Sequence, residues 1–266
     1  MLDNDIHNFW EFTPIKQDII ETIEYRKLKD FITDKILIFA GSGFSQESGL
    51  PIFSTLLNEN NYNQNELIKL FDEHEPHEGY KKLLNLCKNK EYYVFTSNID
   101  GYFLRAGFDK DKIIEVHGNI YYIQCPTNCT GNNKVFCKNS KISGSGTQMN
   151  RFESQICKHC HEKMVPNVMV GGFQDFIYKT KNIEELMIKE IKKLVTGSNY
   201  TIIEIGAGIN LPVIRDYSEI LVEDYGLKLI RINPEHWQIP KELLSKNTVR
   251  IPYKSIKGID ILRALC

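Results

Sequence analysis

The chain has 266 residues, 42% of them hydrophobic and 25% charged, with a net charge of −1. That length suits one large domain, or a large and a small one, with a proper buried core. The near-neutral charge gives no electrostatic reason for nucleic acid or an anionic membrane as a partner. No apolar run reaches the ~18 residues of a membrane span, and Met1-Leu2-Asp3-Asn4-Asp5-Ile6-His7 has no signal-peptide core, so a cytoplasmic location is expected.

In chain order, residues 15–33 carry helical periodicity through Ile15, Ile19, Ile20, Ile23, Leu28 and Phe31. The apolar run at 35–40 predicts a buried strand that ends in a glycine-rich turn. Apolar positions over 65–88 fit one or two helices. Residues 92–96 read as a strand, 101–107 as a short helix and 113–116 as a strand ending at His117. From 120 to 165 the apolar periodicity fades and Cys, Asn, Gly and Ser dominate, which reads as an inserted, loop-rich module. A strand at 167–170 leads into Gly171-Gly172, and 182–197 is helical in pattern. A strand at 201–205 precedes Gly206-Ala207-Gly208, one at 227–232 runs into Asn233-Pro234, and 256–265 looks helical. Short strands alternating with helices predict an α/β fold with a doubly wound, parallel, Rossmann-like sheet. The expected division is a Rossmann-like domain of residues 1–119 and 166–266, with a small inserted module at 120–165.

Ligands on such sheets bind at the carboxyl ends of the strands. Asn98, His117, Gly171, Gly206 and Asn233 all follow predicted strands and are expected on one edge. Gly41-Ser42-Gly43 after a strand suits close approach of a pyrophosphate to the backbone. Gln46 stands where the dinucleotide fingerprint has its third glycine, and by itself such a turn reads equally as a tight turn. The second strand-plus-turn, at 202–208, makes a shared cleft the better reading. His117 is placed for general-base work. His74, His77 and His236 are expected to be solvated.

Seven cysteines stand at 87, 125, 129, 137, 157, 160 and 266. Clustering of this kind in a cytosolic chain favours metal over disulfides. Cys125, Cys129, Cys157 and Cys160 form two close pairs that suit one tetrahedral Zn²⁺. Four protein ligands close the shell, so the ion is structural. Cys137, His159 and His161 remain alternatives for one ligand.

The order of these motifs resembles the sirtuin family. The family's Gly-Ala-Gly-x-Ser and Gly-Ile-Pro-Asp-Phe-Arg are met by Gly41-Ser42-Gly43-Phe44-Ser45 and Gly49-Leu50-Pro51-Ile52-Phe53-Ser54. Its Gln-Asn-Ile-Asp is met by Ser97-Asn98-Ile99-Asp100, and its His-Gly by His117-Gly118. The cysteine pairs follow. Gly206-Ala207-Gly208 is similar to the later Gly-Thr-Ser turn, and Ile232-Asn233 to the Ile-Asn that holds the adenosine ribose. The resemblance is to a divergent bacterial-type branch and spans roughly residues 36–265.

The resemblance implies an NAD-dependent protein-lysine deacylase (deacetylase) that cleaves the nicotinamide–ribose bond and passes the acyl group to ADP-ribose. Its partners would be NAD and an acyl-lysine protein or peptide. Carried over by position, Gly41, Ser42, Gly43 and Ser45 would hold phosphates. Phe53, Ile99 and Asp100 would form the nicotinamide pocket, with Asp100 bonding the carboxamide. Ser97, Gly206, Ala207, Gly208 and Asn233 complete the cofactor site. Asn98 would position the ribose or a water, and His117 would take a proton from a ribose hydroxyl. The sequence departs from the family at Ile52 and Ser54, which replace Asp and Arg. It departs again at Gly171 and Phe173, which replace an aromatic and an acid in the acyl-lysine wall. These departures motivate two alternatives: an NAD glycohydrolase or ADP-ribosyltransferase, and a non-catalytic NAD or ADP-ribose binding module.

Overall fold

The structure is a computed structural model that describes residues 31–51, 64–127, 129, 137–138, 156–169, 191, 193–244 and 247–265. Six parallel strands form the main sheet, in the spatial order β3-β2-β1-β7-β8-β9. They are β1 (Lys35–Ala40), β2 (Glu91–Thr96), β3 (Ile113–Glu115), β7 (Thr201–Ile205), β8 (Lys228–Ile232) and β9 (Thr248–Ile251). The order runs outward in both directions from β1 and β7, so the topological switch point lies between these two central strands. In a doubly wound sheet, that is where the loops diverge and leave a crevice.

Both faces of the sheet are covered, which is why its strands read as continuous apolar runs rather than as alternation. Ile36, Ile38, Ile203, Ile205, Ile230 and Ile232 belong to one buried cluster, and Leu37, Phe39, Ile202 and Leu229 to the other. Helices α1 (Gln64–Glu73) and α2 (Glu78–Leu86) resolve the expected one or two helices. They contribute Leu67, Phe71, Tyr80 and Leu83 to the first cluster. Helix α3 (Tyr102–Arg105) follows β2. On the opposite face, α4 (Val213–Tyr225) buries Ile214, Leu221 and Val222 and stops at Gly226, which is left-handed with φ of 66°. Short α5 (Lys241–Leu244) and α6 (Ser255–Leu265) close the chain. Residues 191 and 193–195 are helical, within the stretch where a helix is expected.

A separate three-stranded antiparallel sheet, ordered β5-β4-β6, comprises β4 (Gly118–Gln124), β5 (Cys137–Lys138) and β6 (Val165–Val168). The strand expected at 167–170 is therefore not a parallel strand of the main sheet. It starts two residues earlier and pairs antiparallel with β4. The reason is local: the chain leaves the main sheet after β3 and starts β4 directly after His117, and Met169 N–H donates to the His117 carbonyl at 2.9 Å. The helical pattern within residues 1–30 and positions 52–54 and 171–173 lie outside the described residues. Among the described residues no helix is long and apolar enough to cross a membrane.

Candidate active site

A cleft of about 540 Å³ opens at the switch point. Of the expected cofactor residues, Gly41, Ser42, Gly43, Ser97, Gly206, Ala207, Gly208 and Asn233 line it, together with His117. Two turns build its floor. Gly41 N–H donates to the Ile205 carbonyl and Gly43 N–H to the Gly206 carbonyl, each at 3.0 Å. The turns meet backbone to backbone, which explains the residue type. A methyl group on Gly41 would sit 2.6 Å from Gly206 O, and one on Gly206 only 2.1 Å from Phe44 N, where φ is also +62°. Glycine is thus required here by the contact between turns as well as by any close approach of a ligand.

Ser45, Asn98, Ile99 and Asp100 stand behind the Gly41–Gly43 turn and are buried to 3–4% exposure. Ser45 Oγ donates to Asp100 Oδ2 at 2.5 Å, and Asn98 Nδ2 donates to Ser45 Oγ at 2.9 Å. Asp100 Oδ1 accepts from Tyr102 N at 2.9 Å. Burial raises the Asp100 pKa above its ordinary value, against the lowering effect of the bonds from Ser45 and Tyr102. Asn98 Oδ1 is buried and has no hydrogen-bond partner among the described residues. A buried acceptor left open is costly and marks a place where a ligand donor would be welcome. His117 is 4% exposed, and burial lowers its pKa below 6.5 despite a backbone hydrogen bond with Ser97. The imidazole is therefore neutral at pH 7 and able to accept a proton. Phe53 lies outside the described residues.

The expectation that His74, His77 and His236 are solvated is corrected. His77 is half-buried: its Nδ1 accepts from Gly79 N at 3.0 Å and caps α2, while Nε2 lies 2.6 Å from the Phe44 carbonyl. The cap uses the Nδ1 lone pair, so Nε2 carries the proton and donates. Burial lowers the His77 pKa. His236 is partly buried and lines the cleft, and its N–H is held by Asn233 Oδ1 at 2.9 Å. His74 is also partly buried, with Nδ1 2.8 Å from the Leu70 carbonyl.

Four further residues that line the cleft were not foreseen from the sequence: Glu47, Glu235, Lys254 and Ser255. Glu47 Oε2 also accepts from Ile256 N at 3.1 Å and so ties the first turn to the start of α6. Recognition of the β9 strand would have put Lys254 and Ser255 at the same sheet edge. Equally unforeseen is a buried ion cluster. Arg231 and Glu204, paired in register on β8 and β7, have side chains exposed by 0% and 1%. Arg231 Nε and Nη2 each reach Glu204 at 2.7 Å, and Nη2 reaches Glu219 at 2.7 Å. Ser218 also donates to Glu204. Arg231 Nη1 donates to the Gln238 carbonyl at 2.5 Å, and Arg215 Nη2 to the His236 and Gln238 carbonyls at 2.7 Å each. Two guanidinium groups thereby hold the Asn233–Gln238 turn, whose Asn233, Glu235 and His236 line the cleft.

The four expected metal ligands come together. Cys125, Cys129, Cys157 and Cys160 offer sulfurs that all lie within 4.8 Å of one another. The closest separations are 3.5 Å for Cys125–Cys160, 3.6 Å for Cys129–Cys157 and 3.7 Å for Cys125–Cys129. A tetrahedron of Zn–S bonds near 2.3 Å needs sulfurs about 3.8 Å apart, so the donor set and its spacing fit one zinc ion. His159 and His161 lie outside the cluster, and Cys137 falls in β5.

The Sir2 family model matches residues 53–198. The chain belongs to the Sir2 family. An NAD-dependent protein deacylase of Leptospira interrogans (serovar Lai) is 26% identical over 243 residues, covering 78% of this chain and 87% of that protein. One from Aquifex aeolicus is 24% identical over 77% of this chain and 86% of that protein. A probable bifunctional ADP-ribose hydrolase/ADP-ribosyltransferase of Fusarium oxysporum is 30% identical, but over 58% of this chain and only 28% of that protein. A crystal structure of a Sir2 homolog–NAD complex superposes with a TM-score of 0.61 at 17% identity, over 92% of this chain and 93% of the other. The sirtuin fold, a parallel Rossmann-like sheet beside a four-cysteine cluster, is thus established for this chain.

Proposed function

We propose that this Sir2-family chain is an NAD-dependent protein-lysine deacylase, with NAD and an acyl-lysine protein or peptide as substrates. The observation that carries the reading is His117, buried on the wall of a cleft floored by two glycine turns. NAD supplies an activated glycosidic bond with nicotinamide as the leaving group. In this proposal the Gly41–Gly43 and Gly206–Gly208 turns let the phosphates approach the backbone closely, and Asn233 takes the adenosine ribose. Asp100 accepts from the carboxamide. Asn98 turns its open Oδ1 toward a ribose hydroxyl. His117 removes a proton from a ribose hydroxyl after the acyl oxygen has bonded to C1′. A buried setting keeps water from competing at C1′. The zinc would hold the β4–β6 region and take no part in chemistry, since all four of its positions are filled by cysteine. The division into a Rossmann-like domain of residues 1–119 and 166–266 and a zinc module at 120–165 is supported by the separate antiparallel sheet beside the sulfur cluster. A cytosolic setting, without nucleic acid as a partner, suits four reduced thiols and a near-zero net charge.

A second reading keeps NAD cleavage and changes the acceptor. It draws support from the Fusarium relative, whose name assigns ADP-ribosyl chemistry. Nicotinamide release from NAD, measured with and without a panel of acyl-lysine peptides, separates the two. Release that requires acyl peptide and is abolished by His117→Ala supports the deacylase. Release without peptide moves the assignment to glycohydrolysis or ADP-ribosyl transfer, and no release under either condition overturns both.

A further inference from the structure

Tyr80 lies behind the cleft on α2, fully buried, with its ring stacked on Phe44 at a centroid distance of 4.1 Å. Its hydroxyl reaches Ser45 Oγ at 2.8 Å. That oxygen therefore has three partners, the others being Asn98 Nδ2 and Asp100 Oδ2. A serine hydroxyl has one proton and two lone pairs. An amide nitrogen can only donate and a carboxylate can only accept. Ser45 therefore gives its proton to Asp100 and one lone pair to Asn98. The remaining lone pair takes the Tyr80 proton. Donation runs in one direction, from Tyr80 through Ser45 to Asp100, and the capacity of Ser45 is filled.

We propose that Tyr80 is a positioning residue for the nicotinamide end of the site: its hydroxyl fixes the Ser45 rotor, and through it the Asp100 carboxylate and the Asn98 amide, without touching the ligand. The proposal rests on the deacylase reading only in assigning Asp100 and Asn98 to the ligand. With Nδ2 committed to Ser45, the Asn98 carbonyl oxygen is the atom left facing no described partner. Loss of the Tyr80 hydroxyl would remove one of the three bonds that hold the Ser45 oxygen and weaken the bond that Ser45 donates to Asp100. The chain is also cooperative, because a hydroxyl that accepts a hydrogen bond becomes a better donor. Around Asp100 the other charged or titratable groups are Tyr102 and Arg105 on α3, and Arg105 favours the carboxylate.

The test is Tyr80→Phe in the full, zinc-loaded chain, which keeps the ring and its stacking. Aspartate carboxyl ¹³C resonances are titrated by NMR, with Asp100 assigned by its loss in Asp100→Asn. The Asp100 midpoint should rise by about half a pH unit, the scale of one cooperative hydrogen bond on a charge-assisted neighbour. The kcat for nicotinamide release should fall several-fold with little change in KM for NAD. An unmoved Asp100 midpoint overturns the proposal. So does an equal loss in kcat for variants that only loosen packing, such as Leu83→Ala, if they also move the midpoint. Should Tyr80→Phe not fold, 3-fluorotyrosine at position 80 keeps the hydroxyl as a stronger donor, and the midpoint must then fall. Wild-type protein that releases no nicotinamide would sink the deacylase reading, whereas the titration would still decide the coupling of Tyr80 to Asp100.

Discussion

Replacing Arg231 by methionine should destabilise the protein by roughly 3–4 kcal/mol, and the structure sets that figure. The variant leaves Glu204 buried with the Ser218 hydroxyl but without its bidentate partner. Removing one member of a buried pair costs about 3–5 kcal/mol, most of it the uncompensated charge that remains. Two features place the value in the lower part of that range. Glu219 is 22% exposed and regains water, and Arg215 lies close enough to Glu204 to feel its charge. For a chain of this size the melting temperature should drop by about 6–16 °C. The pair itself is a separate matter. Two ions are costly to desolvate, so a double variant, Glu204→Leu with Arg231→Met, should lose less than either single change. Urea unfolding with zinc present throughout, at constant m, gives all the values. A loss below about 1 kcal/mol for Arg231→Met, or a double-variant loss equal to the sum of the singles, would refute this account of the cluster.

The same cluster anchors the Asn233–Gln238 turn, so the folded fraction of Arg231→Met should bind ADP-ribose more weakly by calorimetry while nicotinamide affinity holds. Gly206→Ala should abolish ADP-ribose binding and lower stability by several kcal/mol, since its methyl group meets backbone 2.1 Å away; unchanged calorimetry would contradict the turn-to-turn contact. His77 and His117 both have pKa values lowered by burial, so the unfolded chain binds more protons below pH 6.5. Their contribution to stability is complete above pH 6.5 and declines as the pH falls through that value toward the folded pKa. Thermal melts between pH 7.5 and 5 should show this decline, and it should be shallower in His117→Asn. Metal analysis should return one zinc per chain. Chelation should expose the β4–β6 region to protease before the six-stranded sheet, and protein with no zinc and unchanged protection would refute the structural role.

How much of this was legible in the sequence follows from where the physics is local. The strands β1, β2, β7 and β8 were readable because short apolar runs bounded by glycine or asparagine have few other uses, and the main-sheet boundaries agree to within a residue. The cysteine pairs were readable because two ligands from one tight turn leave a spacing signature. β4 was hidden because its residues, Gly118–Gln124, run into a cysteine-rich stretch with no repeating pattern. β9 was hidden because four residues give too short a period, and with it went Lys254 and Ser255. His77 and Tyr80 could not be read at all. Each sits in a charged-looking stretch, and its partner lies more than thirty positions away: Phe44 for His77 and Ser45 for Tyr80.

Glu204 and Arg231 show the same principle from the other side. Read singly, each looks like a charge misplaced within an apolar strand. The parallel register between β7 and β8 puts them opposite one another, and α4 supplies Ser218 and Glu219 from above. Among the described residues, the two glycine turns, Ser97–Asp100, His117 and Asn233 line the cleft or are buried behind its floor, and their chemistry is short-range. What holds those motifs in place is this buried polar layer, whose partners meet only once the sheet is assembled. The catalytic part of such a site is therefore written in short motifs, while its positioning is distributed over pairs that no linear pattern announces. Tyr80 and Arg231 are the two places where that division can be measured, one behind the proposed nicotinamide end and one beneath the proposed adenosine end of the same cleft.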